Sequence, residues 1–326
     1  MKYCFIINPL AGKGDFTEQV LNDINSACAK AEVDYEIYKS DDAEGTNAYV
    51  REVSEQLAEE ERVTFIACGG DGTLCKTAVA VMELPEEQRE RAAVGVIPMG
   101  TGNDFVSNFK NKELFFNIEA QLNASPLKID LLKCNDVYSV NMVNIGFDCQ
   151  VVCKKEEIGR KSWVPRKLAY IFSLILTLIR KPGVNMEFSS DGGETIKKEL
   201  LLTTLANGAF CGGGFNSNPT AELNDGLIDC IAVKDVSRTK FISLVGSYKK
   251  GLHLGEKFKD IIEHFKCAKA DMYFSEETAI SVDGEIIRVH ELHITVAGKA
   301  LTFMVPEGVV AIKEMIQEAL REPVLQ

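Results

Sequence analysis

The sequence predicts an open, parallel α/β sheet domain followed by a β-rich second domain. Strand-like and helix-like segments alternate over the first part of the chain, and strand-like segments dominate after about residue 125. Two of the early strands are almost entirely apolar, as expected of strands buried on both faces. The chain has 326 residues, 46% of them hydrophobic and 26% charged, which suits two globular domains. We place them at 1–127 and 128–305.

The predicted elements of the first domain follow a β-α-β-α-β-α-β order. Apolar residues recur with the helical period after Asp15, where Glu18 completes a helix-start signal. The predicted strands are Tyr3–Ile7, Tyr35–Tyr38, Val63–Cys68 and Ala93–Pro98, and the later helices are Ala48–Ala58 and Thr73–Met82. Such an order produces a parallel sheet with helices on both sides.

The second domain is predicted mainly from short runs of β-branched and aromatic residues. The predicted strands are Lys128–Lys133, Tyr138–Ile145, Val184–Phe188, Leu200–Ala206, Leu227–Val233, Ala270–Phe274, Ile280–Val282, His290–Val296 and Leu301–Met304. Helices are expected at Arg166–Ile179 and Lys240–Leu252. A last helix, Val310–Leu320 within the segment 306–326, is expected to pack back on the first domain.

Composition and targeting signals exclude several classes of protein. The formal net charge of −12 disfavours a nucleic-acid partner, because phosphate binding requires clustered Lys and Arg. The apolar run Leu168–Ile179 is too short to span a bilayer. The apolar run at the N-terminus ends at Asn8-Pro9 and is too short for the core of a signal peptide. Ten cysteines without a CxxC pair indicate small core residues in a reducing compartment. We therefore expect a cytoplasmic protein.

Three glycine-rich loops each follow a predicted strand, and the chemistry of nucleotide binding is concentrated there. They are Asn8–Gly14, Gly69–Thr73 and Pro98–Asp104. Because the carboxyl ends of parallel strands share one sheet edge, the loops are expected to lie together. Glycine lets backbone N–H groups approach phosphate, and a helix N-terminus adds a favourable field. Structural turns are the alternative, but three such loops together favour a nucleoside triphosphate.

A set of late motifs completes a resemblance to a known family. They are Asn207-Gly208, Gly212-Gly213-Gly214, Pro219, Ala221, Asp225-Gly226-Leu227 and Asp283-Gly284-Glu285. With the three loops, they make the sequence similar to the diacylglycerol-kinase catalytic-domain family, in particular its soluble bacterial lipid kinases. GGDGT by itself also occurs in NAD kinases and phosphofructokinases. The resemblance implies a three-layer α/β ATP-binding domain, a β-sandwich-like second domain and an active site in the interdomain cleft.

The resemblance also implies the residues of the ATP and metal sites. The implied ATP-site residues are Asn8, Pro9, Leu10, Ala11, Gly12, Ser40, Gly69, Gly70, Asp71, Gly72, Thr73, Leu74, Cys75 and Thr101. A structural Mg²⁺ would be held by the Asp225 carboxylate and the carbonyls of Glu222 and Leu227, a ligand set that suits a hard cation. Cys75-Lys76 departs from the family, which usually has Asn-Glu at these positions.

Asp283 and Glu285 are the implied catalytic pair. If the segment is extended, the two alternate residues point to one face, and Gly284 permits a close approach. One of them is expected to be the general base, and the other to position it or a catalytic Mg²⁺. The alternative is a β-turn at Asp283-Gly284 with a solvated Glu285.

The segment 154–181 is strongly basic and surrounds the apolar helix candidate. Its basic residues are Lys154, Lys155, Arg160, Lys161, Arg166, Lys167, Arg180 and Lys181, opposed by Glu156 and Glu157. Together with Trp163 this pattern is typical of reversible docking on anionic lipid. The alternative is a core helix with solvated ends.

The sequence therefore predicts an ATP- and Mg²⁺-dependent lipid kinase. It would transfer the γ-phosphate to the hydroxyl of diacylglycerol or a related lipid alcohol, giving phosphatidic acid or an analogue. We expect a cytoplasmic protein that associates peripherally with membranes, and exposed strands leave a homodimer open. The alternatives are an NAD kinase-like enzyme and a non-catalytic protein that binds lipid or nucleotide.

Overall fold

The chain forms two compact units. A computed structural model describes residues 1–11, 14–40, 42–146, 149 and 183–312. Unit 1 contains Met1–Asp130, the short segment Gly212–Gly214 and the chain from Gly298 onward; unit 2 contains Leu131–Cys211 and Phe215–Ala297. Gly12, the helix predicted at Arg166–Ile179, the basic segment 154–181 and the end of the chain after residue 312 lie outside the described residues.

Unit 1 is built on a parallel sheet. Its strands are β1 (Lys2–Ile7), β2 (Asp34–Lys39), β3 (Val63–Gly69) and β4 (Ala92–Pro98), in the order β2-β1-β3-β4. All residues of β3 and β4 are buried, which explains their continuous apolar sequences. The carboxyl ends of these strands lie at one edge, where the three glycine-rich loops begin.

Helices pack on the sheet of unit 1 in pairs. They are α1 (Gly14–Ala31), α2 (Ala43–Gln56), α3 (Asp71–Met82), α4 (Glu86–Arg89) and α5 (Ile118–Leu122). Helix α1 packs with α5, and their apolar residues join Phe5, Ile7 and Ile66 in one core cluster. Helix α2 packs with α3. Since strand side chains alternate, the opposite face of the sheet supplies a second apolar surface, and the unit is a three-layer α/β fold.

Unit 2 is β-rich and contains a large apolar core. Its strands are β6 (Ser125–Cys134, from Leu131 on), β7 (Val137–Ser139), β8 (Met142–Gly146), β9 (Val184–Ser190), β10 (Ile196–Ala206), β11 (Phe210–Cys211), β12 (Phe215–Asn216), β13 (Ile228–Lys234), β14 (Ile262–Cys267), β15 (Lys269–Val282) and β16 (Glu285–Val305, up to Ala297). Both β8 and β9 pair with β10 and with β15, so the sheet bends around the core. This arrangement is β-sandwich-like.

Helix α6 (Arg238–Lys249) packs on unit 2 through a separate apolar cluster. Leu244 and Tyr248 of this helix lie against Ile231 and Val233 of β13. Among the helices of the described residues, none is long and apolar enough to cross a bilayer.

Several predicted elements differ from the structure. The segments Ala270–Phe274 and Ile280–Val282 belong to one strand, β15, whose pairing with β16 shifts register between Tyr273 and Thr278. Likewise His290–Val296 and Leu301–Met304 both lie in β16. Strand β14 was not predicted, because its sequence IEHFKC mixes charged and apolar residues.

The predicted last helix, Val310–Leu320, is wrong at its start. Val310–Ala311 forms strand β17, which pairs with β5 (Phe109–Lys110) in unit 1. Asn111 also donates from its side chain to the carbonyl of Gly308. Backbone pairing with β5 therefore replaces the first two residues of the expected helix; residue 312 is helical, and residues 313–320 lie outside the described residues.

Candidate functional site

The loop after β1 is joined to the loop after β3 by Asn8. Its backbone N–H donates to the carbonyl of Cys68 at 3.0 Å, and its side-chain amide donates to Thr73 Oγ1 at 3.3 Å. The side-chain oxygen of Asn8 accepts from the N–H of Leu10 at 2.9 Å, which closes a turn. Asn8 therefore holds two of the predicted nucleotide loops together.

The loops after β3 and β4 touch through glycine backbone. A Cβ at Gly100 would lie 2.5 Å from the Cα of Gly70, and a Cβ at Gly69 would lie 2.1 Å from Thr73 Oγ1. The N–H of Met99 also donates to the carbonyl of Gly69 at 2.7 Å. Side chains at Gly69 or Gly100 would force this edge apart, so glycine is required for the close approach.

Asn103 fixes the loop after β4. Its backbone has a φ of 54°, a left-handed conformation that asparagine tolerates better than most residues. Its side-chain oxygen accepts from the N–H of Gly100, and its amide donates to the carbonyls of Pro98 and Gly100. These three hydrogen bonds stabilise the conformation of the loop from within the loop itself.

Two carboxylates converge beside these loops. A Cβ at Gly102 would lie 3.3 Å from Asp71 Oδ2 and 3.4 Å from Asp104 Oδ2. Asp71 Oδ1 accepts from the N–H of Phe105 at 3.0 Å, and Asp104 accepts from the N–H groups of the Gly212–Gly214 segment at 2.7 to 3.1 Å. Burial raises the pKa of Asp104 above its usual range against those hydrogen bonds, and the nearby charge of Asp71 adds to the effect.

Asp104 was missed by the sequence reasoning as a site residue. It lies in the motif Gly100-Thr101-Gly102-Asn103-Asp104, so a signal was present. Its partners are the glycines 109 and 110 residues later, Gly213 and Gly214, which connect the loop after β4 to the Gly212–Gly214 segment of unit 1. The convergence of Asp71 and Asp104 suits a divalent cation bound with a nucleotide.

The other predicted ATP-site residues differ in their exposure to solvent. Pro9, Leu10 and Thr101 are exposed, Ala11, Gly72 and Cys75 are partly exposed, and Leu74 is buried in the core. Ser40 is buried, and its hydroxyl donates to the carbonyl of Asp42 and bonds Thr46 Oγ1 at 2.6 Å. The Ser40 hydroxyl therefore supports the turn that begins α2.

Asp283 lies in a tight turn, so of the two interpretations of this segment the structure has the β-turn and not the extended strand. Asp283 and Gly284 have φ values of 47° and 92°, and the flanking residues Val282 and Glu285 pair across β15 and β16. This is a two-residue hairpin of the kind that Asp-Gly favours. Asp283 and Glu285 therefore do not share the face of one strand.

The Asp283 carboxylate binds the bend between β7 and β8. It accepts from Ser139 Oγ at 2.8 Å and from the N–H groups of Val140, Asn141 and Met142 at 2.6, 3.0 and 2.8 Å. The strand predicted over Tyr138–Ile145 is interrupted here because these N–H groups bond Asp283 rather than a neighbouring strand. The Asp283 carboxylate thus holds the backbone of the bend between β7 and β8 in place.

Glu285 begins β16 directly after this turn, and its side chain is exposed. Because the turn is anchored through Asp283, the backbone of Glu285 is held in a defined place. The turn separates the two residues: the Asp283 carboxylate bonds the bend between β7 and β8, and Glu285 begins the strand that follows.

A lysine lies beside the predicted Mg²⁺ site in unit 2, where it faces the side chains of Asp225 and Glu222. Asp225 Oδ1 accepts from the N–H of Leu227 at 3.0 Å, while Asp225 Oδ2 lies 2.6 Å from the ammonium of Lys266. Glu222 Oε1 lies 3.7 Å from the same ammonium. No group of three or more His, Cys, Asp or Glu side chains able to hold a metal occurs among the described residues. In this arrangement Asp225 Oδ2 is engaged by the Lys266 ammonium, and the role of the Glu222 and Leu227 carbonyls stays a prediction.

Solved structures share this fold. A structure titled as a diacylglycerol kinase from Bacillus anthracis str. Sterne superposes with a TM-score of 0.71, at 20% identity, covering 95% of this chain and 98% of the other. A second structure from the same organism, titled "A putative diacylglycerol kinase", gives a TM-score of 0.73 at 21% identity, covering 95% of this chain and 98% of the other. At these identities the similarity concerns the fold.

Sequence relatives and family models agree with the fold. A protein of Shewanella frigidimarina named "Probable lipid kinase YegS-like" is 25% identical over 280 residues, 83% of this chain and 85% of that protein. One of Yersinia pestis with the same name is 27% identical over 252 residues, 74% and 79%. The diacylglycerol kinase catalytic domain matches residues 2–134, and the YegS C-terminal NAD kinase β-sandwich-like domain matches residues 141–305. The chain belongs to the YegS-type diacylglycerol kinase catalytic-domain family of lipid kinases.

Proposed function

We propose that the chain transfers the γ-phosphate of ATP to the hydroxyl of a lipid alcohol, with diacylglycerol as the acceptor. The observation that carries the proposal is the joining of three glycine-rich loops at one sheet edge of unit 1. Asn8 links the first loop to the second, and the contact of Gly70 with Gly100 links the second to the third. Close-packed glycine backbone beside the start of a helix is a favourable environment for phosphate.

The nucleotide phosphates would bind at the start of α3. The N-cap of this helix is Gly70, which has no side chain to cap the free N–H groups of the first turn. Gly72 has open space around it in the same turn. Mg²⁺ accompanying ATP would be held near Asp71 and Asp104, and would neutralise phosphate charge.

Glu285 is the proposed general base, and Asp283 is a positioning residue. The Asp283 carboxylate accepts three hydrogen bonds at Oδ1 and one at Oδ2, all from the bend between β7 and β8, so it is held in place by that bend. Glu285 projects from the adjacent strand end and is exposed. In the proposed step, the Glu285 carboxylate takes the proton of the lipid hydroxyl, whose oxygen bonds the γ-phosphorus as ADP leaves.

The proposal includes a membrane-bound acceptor. The relatives carry the name "Probable lipid kinase YegS-like", and a lipid alcohol resides in a membrane. The basic segment 154–181 would bring the protein to an anionic surface; it lies outside the described residues and stays a prediction, as do a cytoplasmic location and a homodimer.

An acceptor assay tests the proposal. The protein is incubated with Mg-ATP and diacylglycerol in mixed micelles, and phosphatidic acid is quantified. NAD replaces the lipid in a parallel reaction, because an NAD kinase-like enzyme is the main alternative. Phosphatidic acid without NADP supports the proposal. NADP formation contradicts it, and nucleotide binding without any transfer to a panel of lipid alcohols supports a non-catalytic binding protein.

A further inference from the structure

We propose that the Lys266 ammonium takes the place of a divalent cation between Glu222 and Asp225. The turn before β13 would then be stable without metal. The resemblance to the family places a structural Mg²⁺ at this turn, whereas the structure places a side chain of the chain itself there. The inference concerns the architecture of unit 2 and does not depend on the kinase proposal.

One ammonium faces two carboxylates at this turn. Lys266 Nζ lies 2.6 Å from Asp225 Oδ2 and 3.7 Å from Glu222 Oε1. The three side chains are largely shielded, with exposed fractions of 22% for Lys266, 19% for Asp225 and 27% for Glu222. Carboxylates shielded to this extent require a countercharge. The ammonium supplies one, and it brings three donors for the carboxylate oxygens.

The sheet register brings Lys266 to this turn. Lys266 of β14 is paired with Asp229 of β13, four residues after Asp225. The turn itself is closed by Gly226, whose φ is 76°, and by the hydrogen bond from the N–H of Leu227 to Asp225 Oδ1. The lysine is therefore attached to the strand beside the turn. A tethered ammonium competes well with free Mg²⁺, which gives up hydration water reluctantly.

The neighbouring acidic residue does not complete a metal site. Asp229 accepts hydrogen bonds from Thr220, Asn218 and His264. The Asp229 carboxylate is thus satisfied within its own cluster. Lys266 therefore faces two acidic side chains at this turn, those of Asp225 and Glu222, and Asp229 does not join them.

The test compares unfolding with and without Mg²⁺, in the absence of nucleotide. For the unaltered chain, the Tm is expected to change by less than about 1 °C between EDTA and about 5 mM Mg²⁺. Lys266→Met removes the ammonium and keeps most of the apolar stem. We expect its Tm to fall by about 3–8 °C in EDTA and to recover about half of that loss in Mg²⁺.

Two control variants isolate the site. Lys259→Met removes an exposed lysine paired with Glu256 at 2.6 Å, and should leave the Tm insensitive to Mg²⁺. Adding Asp225→Asn to Lys266→Met should abolish the Mg²⁺ recovery, because the main carboxylate ligand is gone. Failure of Lys266→Met to recover in Mg²⁺ would overturn the proposal, since the lysine would then not occupy a cation position.

A direct measurement covers the case in which Lys266→Met does not fold. Binding of Mn²⁺ to the unaltered chain, without nucleotide, is followed by electron paramagnetic resonance and compared with Asp225→Asn. The proposal predicts the same binding in both proteins. Binding that Asp225→Asn abolishes would show that metal displaces Lys266, and would restore the metal site that the resemblance implies.

Discussion

Replacing Asp283 by alanine should destabilise unit 2 far more than its position in a hairpin turn suggests. Its carboxylate accepts from three backbone N–H groups and the Ser139 hydroxyl. The residues carrying those N–H groups, Val140, Asn141 and Met142, are 2%, 8% and 1% exposed. Alanine would leave them without their acceptor where water has limited access.

The magnitude follows from the number of lost partners. A buried donor left unsatisfied costs about 1–3 kcal/mol. Three such donors, partly relieved by water at the turn, give about 3–5 kcal/mol for Asp283→Ala. Alanine at a left-handed φ adds about 1 kcal/mol. Asp283→Asn keeps one acceptor oxygen and tolerates this φ, so its loss should be about half as large.

Asp191→Ala is the matched control. Asp191 also lies in a turn, with a φ of 49°, and its carboxylate accepts from the N–H groups of Ala268 and Lys269. Both of those residues are exposed, so water replaces the lost acceptor, and we expect a loss of about 1–2 kcal/mol. Urea unfolding followed by circular dichroism measures both. Equal losses for Asp283→Ala and Asp191→Ala would refute the anchoring role of Asp283.

Three further predictions concern other parts of the chain. Gly100→Ala should weaken ATP binding at least tenfold and lower stability by about 1–3 kcal/mol, measured by calorimetry and urea unfolding, because its Cβ would lie 2.5 Å from Gly70 Cα. Ser40→Ala should lower stability by about 1 kcal/mol and change KM for ATP less than threefold. Burial lowers the pKa of His253 from 6.5 to about 4, so the unfolded chain takes up a proton at His253 before the folded chain does, and the folded state loses stability as the pH falls from 6.5 to 4. His253→Phe lacks this proton uptake. In urea unfolding, its free energy of unfolding should therefore fall by up to about 3 kcal/mol less than that of the unaltered chain over this pH range.

The α/β unit was predicted well because its signals are local. The fully buried strands β3 and β4 read as continuous apolar runs, and the glycine loops follow them directly. Helix α3 begins within GGDGT, where Gly70 is the N-cap. These features depend on residues close together in the sequence.

The rest of the candidate site depends on distant partners. Whether Asp283-Gly284 is extended or a turn is decided partly by Ser139 to Met142, more than 140 residues earlier. The partners of Asp104 are glycines 109 and 110 residues later, and Lys266 reaches Asp225 from 41 residues away. In strand β14, Lys266 pairs with Asp225 and His264 pairs with Asp229. Because of these charged residues, the strand lacks the alternating hydrophobic pattern from which strands are predicted.

The most direct test of the account is the turnover number of Glu285→Gln for phosphatidic acid formation from Mg-ATP and diacylglycerol. The account predicts product from the unaltered chain and a fall in kcat of about 10²–10⁴-fold in the variant, since general base catalysis contributes about that much. ATP binding should stay unchanged, because Glu285 lies outside the nucleotide loops. A variant kcat within threefold of the unaltered chain would contradict the assignment of Glu285 as the base.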